Sequence, residues 1–174
     1  MKQGFIYVFF AVLAVLAGWF WQTKTVPNTA NPAVAALVAG PWKDANGDVV
    51  TLVNDHKTVL VVNFWATWCP PCIKEMPELS ALATEFQNKK VRFVGIGIDS
   101  AAKIREFSAK TPISYSLVAS GFDGAEVAKN LGNIKGGLPF TVVIDANGNV
   151  VETVEGIVDI AALRSKLALI SANK

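Results

Sequence analysis

The only two cysteines among 174 residues stand together as Cys69-Pro70-Pro71-Cys72. A thiol does redox chemistry as its thiolate, and two thiols separated by two residues are close enough to share a disulfide. The three-residue step puts both sulfurs on one face of a helix, whose N-terminus favours negative charge through unpaired N–H groups and its dipole. Cys69 is placed to feel that field as the exposed attacking thiol. Cys72, one turn deeper, is the thiol that resolves a mixed disulfide by closing the bond to Cys69. Pro70 and Pro71 suit the first turn, where their missing N–H groups cost nothing. The competing readings of the pair are weaker. A structural disulfide this short closes almost no loop and gains little stability. A structural zinc site wants about four ligands, and beyond the cysteines there is only His56, the one histidine in the chain. Two inert buried thiols are the third alternative.

The setting of the pair decides how specific it is, since a C-x-x-C between a strand and a helix is a redox signature. Thr58 to Trp65 (TVLVVNFW) is a nearly continuous apolar run without helical spacing, which predicts a strand covered on both faces and leading straight into the cysteines. Beyond them Ile73, Met76, Leu79, Leu82 and Phe86 recur near a 3.6-residue period while Lys74, Glu75, Glu78 and Glu85 face elsewhere. That pattern predicts an amphipathic helix starting at the motif and kinked by Pro77. Val91 to Ile98 reads as a second buried strand, Ala101 to Ser108 as a short helix, Ser114 to Val118 as a strand and Ala125 to Leu131 as a helix. Thr141 to Ile144, the Asn147-Gly148 turn and Val150 to Val154 predict an antiparallel hairpin, and Ala161 to Ile170 a closing helix. On the other side of the motif, Asn46-Gly47 before Val49, Val50 and Leu52 predicts an N-terminal hairpin, with Asp55-His56-Lys57 a second turn and His56 on the surface. Strands alternating with helices make an α/β sandwich.

Ahead of this domain the chain is apolar without a break from Gly4 to Trp21, close to the roughly 20 residues that cross a bilayer as a helix. Signal sequence and anchor are both open. The run ends in Trp19-Phe20-Trp21, which suits an interfacial aromatic belt better than a cleavage site, so residues 1–21 read as an uncleaved signal-anchor, a single transmembrane helix. Residues 22–41, rich in Thr, Asn, Pro and Ala, read as a linker, and residues 42–174 as the folded domain. Lys2 inside against Lys24 and Lys43 outside orients that domain away from the cytoplasm, on the periplasmic or extracytoplasmic side of an inner membrane spanned by residues 4–21. The 16 basic and 14 acidic residues are interspersed, with a net charge of +2. No basic run marks a nucleic-acid face.

The block Asn63-Phe64-Trp65-Ala66-Thr67-Trp68-Cys69-Pro70-Pro71-Cys72, followed by Glu75, Pro77 and Leu79, resembles the active-site block of the TlpA/ResA-like proteins, membrane-tethered members of the thioredoxin superfamily. The resemblance runs from about Trp42 to the C-terminus. It implies a thioredoxin-like fold with the N-terminal hairpin as an extension and a central insertion of a strand and a helix. It further implies that Gly136-Gly137-Leu138-Pro139-Phe140-Thr141 is the cis-proline loop, with Pro139 in the cis form and Leu138 offering main-chain hydrogen bonds to a substrate. Trp68, beside the motif, either shapes a docking surface with Pro70 and Pro71 or only packs; Trp65 belongs to the core. Thioredoxin has a buried aspartate where this chain has Asn63, which cannot relay a proton. ResA-like members carry an acid at the end of the next strand, here Asp99, expected to have a desolvation-raised pKa and to shuttle the proton of Cys72. An equal alternative is a helix cap for the segment from Ala101.

The activity that the resemblance implies is an extracytoplasmic disulfide reductase for protein substrates, of the cytochrome c maturation or copper-oxidase assembly type, fed by a DsbD/CcdA-type membrane donor and using the Cys69–Cys72 disulfide with no other cofactor or metal. A disulfide-forming oxidant uses the same chemistry in reverse. From another class comes a copper(I)-binding dithiol, since soft thiolates suit that ion; copper chaperones of this kind, however, use a wider cysteine spacing and a distant histidine. A peroxidase is disfavoured because the Pro-x-x-x-Thr-x-x-Cys arrangement is absent.

Overall fold

Nearly unbroken β-branched and aromatic sequence makes residues 59–65 the central strand of the fold, and every one of them is buried. The structure is a computed structural model that describes residues 31–52 and 58–172. In chain order its elements are α1 (Pro32–Ala39), β1 (Trp42–Lys43), β2 (Val49–Val50), β3 (Val59–Trp65), α2 (Pro70–Phe86), β4 (Val91–Gly97), α3 (Ala101–Lys110), β5 (Ser116–Ala119), α4 (Asp123–Asn130), β6 (Phe140–Ile144), β7 (Val150–Glu155) and α5 (Ile160–Ala172). β1 and β2 form the N-terminal hairpin, Trp42 opposite Val50, and in its turn the positive φ falls on Gly47 alone. The other five strands form one sheet in the order β5-β4-β3-β6-β7. β3, β4 and β5 run parallel, whereas β6 is antiparallel to both β3 and β7. β5 and α4 are the strand and helix expected between the two halves.

Alternate residues of the sheet divide the core into two layers. Val59, Val61, Phe93 and Val143 pack with Leu79, Leu82 and Phe86 of α2 and with Leu163 and Leu167 of α5. On the opposite face Leu60, Val62, Phe64, Val94 and Ile96 pack with Ala128 of α4, Leu131 beyond it, and Val34 and Leu37 of α1.

That last contact corrects the expected linker. Residues 32–39 form a helix whose Val34 and Leu37 are fully buried, so the folded unit begins before Trp42. Asn31 caps the helix by accepting the Ala33 N–H at 2.9 Å, Pro32 follows at its first position, and the Trp42 indole donates to the Leu37 carbonyl at 2.6 Å. Among the described residues no helix is long and apolar enough to cross a membrane. The expected anchor at residues 4–21 and the turn at Asp55-His56-Lys57 lie outside the described residues.

Candidate active site

β3 ends at Trp65, and a short turn, with the Cys69 N–H donating to the Ala66 carbonyl at 3.1 Å, delivers Cys69 as the N-cap of α2. Pro70 and Pro71 occupy the first helical turn as expected. Cys69 Sγ accepts the Cys72 N–H at 3.3 Å and is joined to Cys72 in a disulfide, with the two Cα atoms 5.3 Å apart. Both sulfurs are deeper than the sequence implies. Cys69 keeps 4% of its surface exposed and Cys72 none, which leaves Cys69 as the sulfur a partner reaches. They pack with Trp65, Ala66, Met76 and Ile104, and Leu138 lies against this group. Trp65 is fully buried, as expected of a core residue.

The cis-proline loop therefore meets the cysteines. The Leu138–Pro139 bond is cis, Pro139 is buried, and its carbonyl accepts the Gly156 N–H at 2.8 Å, which ties the loop to the end of β7. Trp68 projects into solvent, 62% exposed. It lines, with Ile98, Asp99, Ser100, Lys103 and Phe122, a mostly apolar cavity of about 380 Å³ at the ends of β4 and β5.

Asp99 does not have the character expected of a proton shuttle. Burial pushes its carboxyl up, but hydrogen bonds from the Thr67 hydroxyl and the Ser100 N–H, with the charge of Lys103, outweigh burial and hold it below the ordinary carboxylate range. The Lys103 ammonium is 3.7 Å away. Ser100, not Asp99, caps α3, by accepting the Lys103 N–H at 3.4 Å.

The raised carboxyl belongs to Glu75. Assigned to the polar face of its helix by sequence period, it is instead 3% exposed. Its Oε1 accepts from Asn63 Nδ2 at 2.8 Å and its Oε2 from the Val158 N–H at 3.0 Å, while Asn63 Nδ2 also donates to Thr141 Oγ1 at 3.0 Å. Burial pushes the Glu75 carboxyl up against these two hydrogen bonds, and the charge of Glu78 adds to the rise. Glu75 sits three residues after Cys72, on its side of α2. A signal for it exists in the sequence: a lone Asn in an apolar strand carries donors that burial obliges to find an acceptor.

The arrangement combines a cysteine at a helix N-terminus that keeps a little of its surface exposed, a fully buried cysteine bonded to it, and, one turn further along the helix, a buried carboxyl that burial pushes above its ordinary range. Among the described residues no three His, Cys, Asp or Glu side chains come together in a way that could hold a metal ion.

Known proteins share this plan. A family model described as Redoxin matches residues 24–165. A thiol-disulfide oxidoreductase ResA of Bacillus thuringiensis subsp. konkukian is 30% identical over 118 residues, 65% of this chain, and the chain spans 64% of that relative's length. The ResA of Geobacillus kaustophilus is 29% identical over 149 residues, 83% of each chain. Among solved structures, a thioredoxin-related protein from Neisseria meningitidis serogroup B superposes with a TM-score of 0.64 at 34% identity, covering 76% of this chain and 99% of that one. MTB dsbF, in mixed oxidised and reduced forms, gives a TM-score of 0.66 at 27% identity, covering 80% and 98%. The thioredoxin-like α/β fold and the TlpA/ResA-like resemblance are thus both supported.

Proposed function

The chain belongs to the Redoxin family, and on that premise we propose that it is a thiol-disulfide oxidoreductase that exchanges disulfides with protein partners through Cys69 and Cys72. The observation that carries the reading is the disulfide itself, set with one sulfur at the N-cap of α2 and the other fully buried behind it. In the reducing direction the Cys69 thiolate, favoured by the helix N-terminus, attacks a partner disulfide and releases one partner thiolate. Cys72 then gives its proton to Glu75 and attacks Cys69 Sγ, which closes the intramolecular disulfide and frees the second partner thiolate. Leu138 main-chain groups, beside the cysteines and free of backbone partners among the described residues, hold the partner chain. Asp99 stays ionised and fastens the loop after β4 to Thr67 and Lys103.

The physiological direction we propose is reduction, on the extracytoplasmic side of an inner membrane that residues 4–21 span once, with electrons from a DsbD/CcdA-type membrane donor. Haem-binding cysteines of apocytochrome c or copper-site cysteines of an oxidase are the substrate class. What supports this is the naming of relatives as ResA, the apolar N-terminal run and its flanking aromatics. The deciding experiment is the reduction potential of the full chain, equilibrated in thiol buffers and read by tryptophan fluorescence. A value near or below about −270 mV fits a reductase; one near −120 mV makes the protein a disulfide former. Absence of a reversible two-electron transition sinks the exchange reading altogether.

A further inference from the structure

The chain between α4 and β6 turns on one buried side chain. Asn133 is 3% exposed in a stretch where Gly132, Ile134, Lys135, Gly136 and Gly137 are all exposed. Its N–H donates to the Ala128 carbonyl in the last turn of α4 at 3.0 Å, and its carbonyl accepts the Gly136 N–H at 3.2 Å. The side chain reaches further, with Nδ2 donating to the Gly137 carbonyl at 2.9 Å. Gly137 stands directly before Leu138, and directly after Leu138 the Pro139 carbonyl accepts the Gly156 N–H at 2.8 Å. The main chain is therefore tied down on both sides of Leu138, while the N–H and carbonyl of Leu138 itself take part in no backbone bond among the described residues. The proline that follows favours extended backbone at Leu138, the form in which a chain pairs with a second extended segment.

Stability does not explain the Asn133 side chain. Its Oδ1 is buried and finds no donor among the described residues. A buried acceptor without a donor costs more than one neutral hydrogen bond returns, so the amide is a net loss to the fold that an apolar side chain of its size would avoid. We propose that Asn133 is a positioning residue for partner recognition: its amide fixes the Gly137 carbonyl so that the main chain of Leu138 is held ready to pair with the extended chain around a partner's cysteine. This rests on the reading that the Leu138 main chain holds the partner. Gly137 leaves room for that chain, being exposed, outside the left-handed region and with nothing within 4 Å of a Cβ placed on it. What the amide supplies is rigidity, since a loop already fixed loses less entropy when a partner pairs with it.

The test offers two disulfides to the reduced full chain. One is a peptide disulfide, in which each sulfur is flanked by main chain; the other is hydroxyethyl disulfide, which has no main chain to pair. With either, Cys69 attacks and Cys72 closes the protein disulfide, so one disulfide forms for the one broken and two small thiols are released. In Asn133→Leu the peptide reaction loses about tenfold in kcat/KM, through KM at unchanged kcat, the size of one docking hydrogen bond. The reaction with hydroxyethyl disulfide keeps its rate, and the urea midpoint stays at the wild-type value or rises, which a purely structural role would not allow. Asn133→Ala, which removes the amide without asking the site to accept a leucine, gives the same split between the two disulfides. Wild-type kinetics on the peptide in both variants overturn the proposal, and so does an equal slowing on both disulfides. A wild type that reacts with neither disulfide overturns the exchange reading itself, and this proposal with it.

Discussion

At the scale of single residues, the exchange of an aspartate for Asn63 is inseparable from Glu75. A strand aspartate and a helix glutamate 2.8 Å apart would be two carboxylates sharing one buried site, and one of them would have to keep its proton. An asparagine lets the helix supply the acid while the strand supplies the donor. Asn63→Asp is therefore expected to cost on the order of 2 kcal/mol at neutral pH, equivalent to a shift of one to two units in a carboxyl pKa, and to recover much of it on acidification. Urea unfolding at pH 7 and pH 4.5 measures both. Glu75 itself has a signed pH dependence. With its folded pKa raised, it binds its proton more tightly folded than unfolded, so its contribution is fullest below the unfolded value of about 4.5 and declines as pH climbs toward the folded one. The melting temperature of the wild type relative to Glu75→Gln should accordingly fall across that interval; a constant difference would show that the carboxyl does not titrate there. For the cysteines, Cys69→Ser is expected to abolish exchange and Cys72→Ser to trap the partner as a mixed disulfide, resolved by non-reducing gel electrophoresis.

Among the elements, α1 carries the clearest energetic prediction. Leu37 is fully buried beneath the sheet, so Leu37→Ala should destabilise the fold by about 2–5 kcal/mol, read from denaturant midpoints. A linker residue would show almost nothing. The sequence concealed α1 because PAVAALVA is apolar all round and has no periodic face, although Asn31-Pro32 at its start and Gly40 after it are capping signals. β3, β4, the helix from Pro70, the C-terminal hairpin and the cis-proline loop were legible, since each rests on local pattern or on a motif. Glu75 was not, because its burial depends on a strand twelve residues earlier and a loop 83 residues later, which only tertiary structure brings to it. Asp99 stands at the strand end where the sequence puts it, but the groups that hold its carboxyl down are not adjacent in the chain: Thr67, which donates to it, lies in another loop.

Across the whole molecule, the strand ends that carry the cysteines also carry three of the six large apolar side chains exposed among the described residues. Trp68 follows β3, Phe122 follows β5 and is 91% exposed, and Ile157 follows β7 and is 55% exposed. Apolar groups in one rim around a reactive sulfur suit a folded partner more than a small thiol. Trp68→Ala should therefore lower the rate of exchange with a protein disulfide about tenfold more than the rate with dithiothreitol, the loss typical of an aromatic anchor. Equal effects on both would place Trp68 in the chemistry instead. The Glu75 carboxylate has one further consequence at this scale. Through Asn63, Thr141 and Val158 it fastens α2, β3, β6 and the approach to α5 at one buried point. No one of these pieces can open while the rest stay closed, so the Val158 amide, although it belongs to a loop, should trade its hydrogen for deuterium only as slowly as the whole domain unfolds.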